Sequence, residues 1–301
     1  MHQENTPSLY FLGNRALQLS GSTKIKTLAY LPKAGLKRAY ISGKPYTGSK
    51  LILGKKKIAS SDRLFQSIDQ FNDFKVLKDQ LIPTDGKHEI YSEGKSYTRS
   101  FSDSTLILEV FADQLPIENS FSGPIILYSK DSIHIGSSSQ IEDALIIAPS
   151  IHIASDFSGA VQLFAEDRII IDENAKLDYP SSIVLAARSD SSRLILEEGT
   201  HIQGVCIANS KTQKRLLYPQ VILKNKSKIE GQLICYNLNL QAQGEVIGST
   251  FTNKLILKTS SSIYENHLMD AEFDINPLPY NYAGIAIDTL TGPKRIVKWI
   301  Y

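Results

Sequence analysis

From residue 115 to residue 265 the chain alternates apolar and polar positions in short pulses, each too brief for a helix. Ile133, Ile135, Ile141, Leu145 and Ile147 keep a period of two, interrupted only by polar corners. Residues of this type at this period send alternate side chains to opposite faces, which is the signature of strands. The word Ile-His-Ile occurs at 133–135 and again at 151–153, 18 residues later.

The recurrence belongs to a longer repeat. With Ile141 as origin, apolar residues stand eight and six positions before it and four and six after it. The same frame fits around Leu177, Ile202, Ile229, Val246 and Ile263, and a form two residues shorter fits Phe121 and Phe157. The N-terminal Leu17, Leu19, Ile25, Ala29 and Leu31 fit as well. Glycine follows the origin by two positions in five of nine copies, at Gly123, Gly159, Gly204, Gly231 and Gly248, where a corner calls for a positive φ or close backbone approach. Three very short strands per unit cannot bury their own apolar face, but stacked copies can.

The pattern therefore predicts an all-β protein, a parallel β-helix with isoleucines inward and His134 and His152 outward in a ladder. Uneven corner lengths and paired inward residues favour the right-handed form. The hexad-like spacing 135, 141, 147, 153 also suits a left-handed coil of about 18 residues per turn.

Four segments follow. Residues 1–35 are read as an N-terminal rung, 36–110 as an inserted α/β subdomain packed laterally, 111–266 as the rungs, and 267–301 as a C-terminal capping segment. Within the insertion, Leu64, Phe65, Ile68, Phe71, Phe74 and Leu77 lie on one helical face of 60–81, with Ser/Asp capping chemistry at its start. Residues 88–101 resemble a hairpin turning at Glu93-Gly94. Extra residues at 187–193 and 209–220 fall at one corner, where insertions either build a recognition surface or are tolerated loop growth.

Composition narrows the class. With 42% apolar and 21% charged residues among 301, the chain has the balance of a globular fold. A net charge of +2 provides no overall field for nucleic acid. No run reaches the roughly 18 to 20 apolar residues of a membrane span, and MHQENTPSLY lacks the basic and apolar regions of a signal peptide. Membrane contact is thus expected only through a segment absent from this chain. Cys206 and Cys235 face inward one position apart along their strands, about 8 Å between Cα atoms and beyond disulfide reach, so they read as buried apolar groups.

The units IHIGSSSQIEDALIIA, LILEEGTHIQGVCIA and VILKNKSKIEGQLICY resemble the bactofilin family over roughly residues 115 to 265. That resemblance implies a right-handed β-helix that assembles end to end into scaffolds, although the 36–110 segment and the long tail depart from the family's pattern and would obstruct its ends. The opening LYFLGNRALQLSGSTKIKTLAYLPKAGLKRAYISGKPYTG is similar to bacterial envelope proteins with a membrane anchor before this domain, which favours the cell envelope as the compartment.

Candidate chemistry is sparse. No GxSxG, HExxH, GxxxxGK[ST] or strand-borne GxGxxG motif is present, and no cofactor or metal is expected. His134 and His152 could begin a metal site, but the next rung presents Ile170, with no carboxylate singled out to complete a ligand set. Asp156, Asp172, Glu173, Glu197 and Glu198 stand at corners like the acids of a pectate-lyase-like enzyme, without an opposed pair that glycoside hydrolysis needs. The expected interaction surface is Lys55, Lys56, Lys57, Tyr91 and Tyr97 in the insertion, with Lys211, Lys214 and Arg215 in the second corner loop. The expectation is a non-enzymatic structural or assembly β-helix that binds a protein partner or itself. The alternative is a carbohydrate-binding or carbohydrate-cleaving β-helix with a glycan as ligand.

Overall fold

The computed structural model describes residues 6–59, 68–111, 116–210, 221–241, 243–279 and 282–285. Strands dominate, nearly all paired in parallel, and the chain winds as a β-helix-like stack with three faces. One turn shows the path: Gln140–Glu142 lies on the first face, Ala144–Ile147 on the second and Ser150–Ile153 on the third, before Ser158–Gly159 starts the next turn.

Register stacks like on like. On the third face Ile133, Ile151, Ile169, Leu194, Val221, Leu238 and Leu255 form one inward column, all buried. These columns merge into a single core running from the N-terminal strands to Phe273. Cys206 lies opposite Leu233 and Cys235 opposite Ala208, so the two free, buried thiols occupy different inward columns, as the frame predicts. Burial pushes the Cys206 thiol up to about 12 and raises that of Cys235 as well.

At the first corner glycines form a ladder. Gly204, Gly231 and Gly248 have φ of 148°, 147° and 133°. A Cβ on Gly231 would lie 1.9 Å from the carbonyl oxygen of Gly204, and one on Gly248 would lie 1.9 Å from that of Gly231. Only glycine lets the rungs close to hydrogen-bonding distance here.

The order of the rungs is not the order of the chain. Leu9–Phe11 pairs with 250–252 on one side and with Ala29–Leu31 on the other. Ala29–Leu31 in turn pairs with Lys56–Ile58, which ends the stack. The N-terminal rungs therefore extend the C-terminal end of the coil. The opposite end is Lys87–Ile90, paired with Leu106–Glu109. Between these ends the second face holds twelve strands among the described residues, which at about 4.8 Å per step spans roughly 50 Å.

Residues 68–86, which belong to the segment between the two end strands, lie along this face. The face is built to be covered, because its outward column is also apolar: Tyr128, Ile147, Phe164, Val184, Ile207, Ile234, Phe251, Tyr10 and Tyr30 follow one another in register. Ile68, fully buried, packs with Val184, Ile207, Ile234 and Phe251. The Asn209 amide donates to the Ile68 carbonyl at 2.7 Å. Helix α1, Phe74–Leu81, then buries Leu77 against the same face. Asp73 caps it, its carboxylate accepting from the backbone N–H of Lys75 and Val76 at 3.1 and 3.3 Å.

Several expectations change. Residues 36–110 do not stand apart as a lateral subdomain. Leu36–Arg38, Lys56–Ile58, Lys87–Ile90, Tyr97–Thr98 and Leu106–Glu109 are all rung strands, and the described residues 68–86 pack on the outside of the coil. Of the expected helix 60–81, the described residues hold a 3-10 turn at Asp69–Phe71 and helix α1 at Phe74–Leu81; residues 60–67, with Leu64 and Phe65, lie outside the described residues. Residues 88–101 turn at Glu93-Gly94 but form no hairpin, since the strands flanking the turn pair in parallel with different rungs.

The C-terminal segment 267–301 is likewise no simple cap. His267–Met269 pairs with Leu17–Ser20, and Glu272–Asp274 lies between 245–247 and Lys24–Ile25, so both belong to the joint with the N-terminal rungs. Residues 282–285 lie along the side, where Gln232 bonds both backbone groups of Ile285 and the Tyr282 hydroxyl donates to the Gly204 carbonyl; residues 280–281 and 286–301 are outside the described residues. Two origins of the repeat also move. Ile263 is exposed on an antiparallel strand, and the true partner of Val246 is Phe273. Gly159, not Phe157, aligns with Leu177, and the ring of Phe157 lies against Gly159. Residue 115, in the Phe121 unit, lies outside the described residues.

Candidate functional site

The third face carries a cleft of about 530 Å³. Strands Ser132–Ile135, Ser150–Ile153 and Arg168–Ile171 form its floor, and the 187–193 corner insertion forms a wall through Arg188, Ser189 and Ser191. Strand alternation puts two columns of outward side chains on that floor. One runs Ser132, Ser150, Arg168, Arg193, and the other runs His134, His152, Ile170, Ile195, Ile222.

The two histidines stack as expected, ring centroids 4.4 Å apart and planes 15° from parallel. Burial, with His152 next to it, holds the His134 imidazole below its ordinary value, against the opposing charge of Asp172. The sequence pattern does not single out one partner here: Asp172, just past the strand end, meets His152 Nε2 at 2.7 Å. Its position two residues beyond Ile170 on the next rung is the available signal. Among the described residues no three His, Cys, Asp or Glu side chains gather so as to hold a metal ion.

The acids around the cleft are engaged by cations. Asp167 accepts from Arg188 at 2.8 Å, and Glu166 lies 3.9 Å from the same guanidinium. Burial raises the Glu166 carboxyl. Farther along the corners, Glu197 pairs with Lys224 at 2.7 Å and Glu198 with Lys226 at 3.0 Å. Arg168 differs: it is exposed, and its guanidinium meets no acid or carbonyl among the described residues. The hydroxyls of Ser132 and Ser150 and the ring nitrogens of His134 also have no hydrogen-bond partner among those residues.

The predicted interaction residues do not come together. Lys55, Lys56 and Lys57 stand at one end of the stack, with the Lys57 ammonium 5.6 Å from the Tyr30 ring centroid. Tyr91 and Tyr97 are buried at the other end, Tyr97 stacked on Phe121 at 5.6 Å and Tyr91 bonded to Asn119 at 2.5 Å. Lys56–Ile58 and Lys87–Ile90 are the two end strands of the second face, so proximity in sequence misleads. Lys211, Lys214 and Arg215 lie outside the described residues.

No known family, no curated protein and no solved structure matches the chain. The class it belongs to is therefore set by its own geometry: an all-β protein built on one large, mainly parallel, β-helix-like sheet.

Proposed function

We propose that the protein is a non-enzymatic structural β-helix, coiled in the right-handed sense, that joins head to tail with copies of itself in a bacterial envelope or surface apparatus. The observation that carries this is the inward column of the second face. It runs Glu89, Leu108, Leu127, Ile146, Leu163, Ile183, Cys206, Leu233, Thr250, Leu9, Ala29, Lys56. A charge in a core position blunts a sheet edge against indiscriminate pairing. Here the two terminal charges are opposite, so a second copy added in the same register sets Lys56 against Glu89.

Other features favour such a joint. The same register sets Ile58 against Tyr91 and Lys57 against Ile90. Of nine large apolar side chains exposed among the described residues, six flank the two ends: Tyr40, Leu53 and Ile58 at one, Ile90, Phe101 and Phe111 at the other. Ile58 and Ile90 stand on the two terminal strands themselves, where exposed apolar side chains suit a protein contact. Glu89 already bonds Lys87 and Lys95 at 2.7 and 3.3 Å, which keeps the contact weak and reversible.

A charge swap tests it by sedimentation velocity across a wide concentration range. Wild type is expected to form salt-sensitive oligomers. Lys56→Glu alone and Glu89→Lys alone should stay monomeric, and the double variant should regain assembly. A wild type that remains monomeric at high concentration overturns the proposal, as does assembly indifferent to both single changes.

A further inference from the structure

We propose that the third-face cleft binds a linear acidic saccharide lying along the stack, with Arg168 holding the acidic group. The proposal is independent of assembly through the ends, because the cleft lies on the side of the rod.

Three observations converge. First, the cleft offers donors that nothing among the described residues occupies: Ser132, Ser150, His134 and the Arg168 guanidinium. Its acids Asp167 and Asp172 are held by Arg188 and His152. The charged group that remains without a partner among the described residues is the Arg168 guanidinium, whose fork matches a carboxylate or sulfate.

Second, the donors are periodic. Ser132, Ser150 and Arg168 are register partners on successive rungs, about 4.8 Å apart. A repeating polymer meets such a column with successive units, which a single small anion does not.

Third, the parallel column turns apolar at Ile170 and continues through Ile195 and Ile222, all half-buried. Donors on one side and aliphatic surface on the other suit a sugar, which has polar hydroxyl edges and an apolar C–H face. The volume of about 530 Å³ falls within the range of organic-ligand sites.

Calorimetry with a panel tests the assignment: a uronate oligosaccharide, a sulfated oligosaccharide, a neutral oligosaccharide of equal length, free uronate and inorganic sulfate. At least one acidic oligosaccharide is expected to bind at least tenfold more tightly than the neutral one and than the free ions. Arg168→Ala should weaken it tenfold or more, Ser150→Ala a few-fold, and Lys130→Ala not at all. Arg168 is exposed, so its variant should keep the wild-type urea midpoint, which separates lost binding from lost folding. Equal binding of neutral and acidic oligomers, equal binding of inorganic sulfate, insensitivity to Arg168→Ala, or failure of every acidic oligomer to bind would each overturn it.

Discussion

Tyr10 and Phe251 are register partners on adjacent parallel strands, their rings 6.0 Å apart, although they come from opposite ends of the chain. The first strand of the sequence is thus an interior strand of the stack, with rungs on both sides. Its closure against the C-terminal rungs is what turns a coil with a free edge into a continuous rod.

Asp270 fastens that closure. Its carboxylate accepts from the Ser22 backbone N–H at 2.9 Å, the Ser22 hydroxyl at 3.1 Å and the Lys44 ammonium at 2.7 Å. Gly21 makes room, since a Cβ there would lie 2.1 Å from Asp270 Oδ1. Burial works against the charge, but the bonds from Lys44 and Ser22 prevail and hold the carboxyl below the usual aspartate range. Asp270→Asn tolerates the positive φ of this position and should lower the unfolding free energy by about 1 kcal/mol at neutral pH. A depressed folded value means the contribution is complete above the unfolded value near ~3.9 and is lost as pH falls through the folded one. Urea midpoints of both proteins should therefore converge in acid; a difference independent of pH would contradict the charge-based account.

Gly231→Ala should be severely destabilising, by about 3 kcal/mol or more, because the methyl collides with a backbone carbonyl that no rotamer can move. Gly94→Ala provides the contrast: it also has positive φ, but a methyl there would meet nothing within 4 Å, so only conformational strain of about 1 kcal/mol applies. Thermal or urea unfolding of the pair checks whether rung contact, and not φ alone, governs the ladder.

Ile68 anchors residues 68–86 on the second face. Ile68→Ala is expected to cost about 2–5 kcal/mol, as for other fully buried large-to-small changes. Because it uncovers the outward apolar column from Phe164 to Tyr10, dye binding to exposed apolar surface should rise before global unfolding. Destabilisation with no such early rise would mean that 68–86 and the coil unfold as one unit.

His134 should make stability pH-dependent on the acid side. Its folded value lies below that of a free histidine, so the unfolded chain takes up the proton first. Stability is then complete above ~6.5 and declines as pH falls from there through the folded value. His134→Gln should flatten that decline in urea titrations, while an unchanged profile would assign it to other groups.

Much of the architecture is legible in the chain. Ile133 and Ile151 fix an inward column because a period of two leaves no other face for them, and Cys206 and Cys235 fall in different columns by counting alone. The corner insertion at 187–193 stands out from the repeat spacing, and in the fold it walls the third-face cleft. Less legible is the doubly apolar character of the second face. Runs such as Leu145-Ile146-Ile147-Ala148 and Ile183-Val184-Leu185-Ala186 read as continuous rather than alternating, which is how strands buried on both sides appear. The lining of the third-face cleft is half visible: the His134–His152 ladder follows from spacing, whereas Asp172 reaches His152 only through a corner whose backbone path the spacing does not specify.

That this protein is a stack follows from its pattern alone, because short alternating strands have no other way to bury their apolar faces. Alternation, a local property of the extended backbone, also set the inward column of the third face, whereas on the doubly apolar second face Ile147, Ile207 and Ile234 point outward. Only the tertiary structure decided the order of the rungs. Leu9–Phe11 carries the same pattern wherever it docks, and the choice of 250–252 as its neighbour comes from long-range packing of Tyr10 on Phe251 and from Asp270 binding Ser22 and Lys44. That choice places Lys56 and Glu89 at opposite ends of one column, a pairing that no local pattern contains.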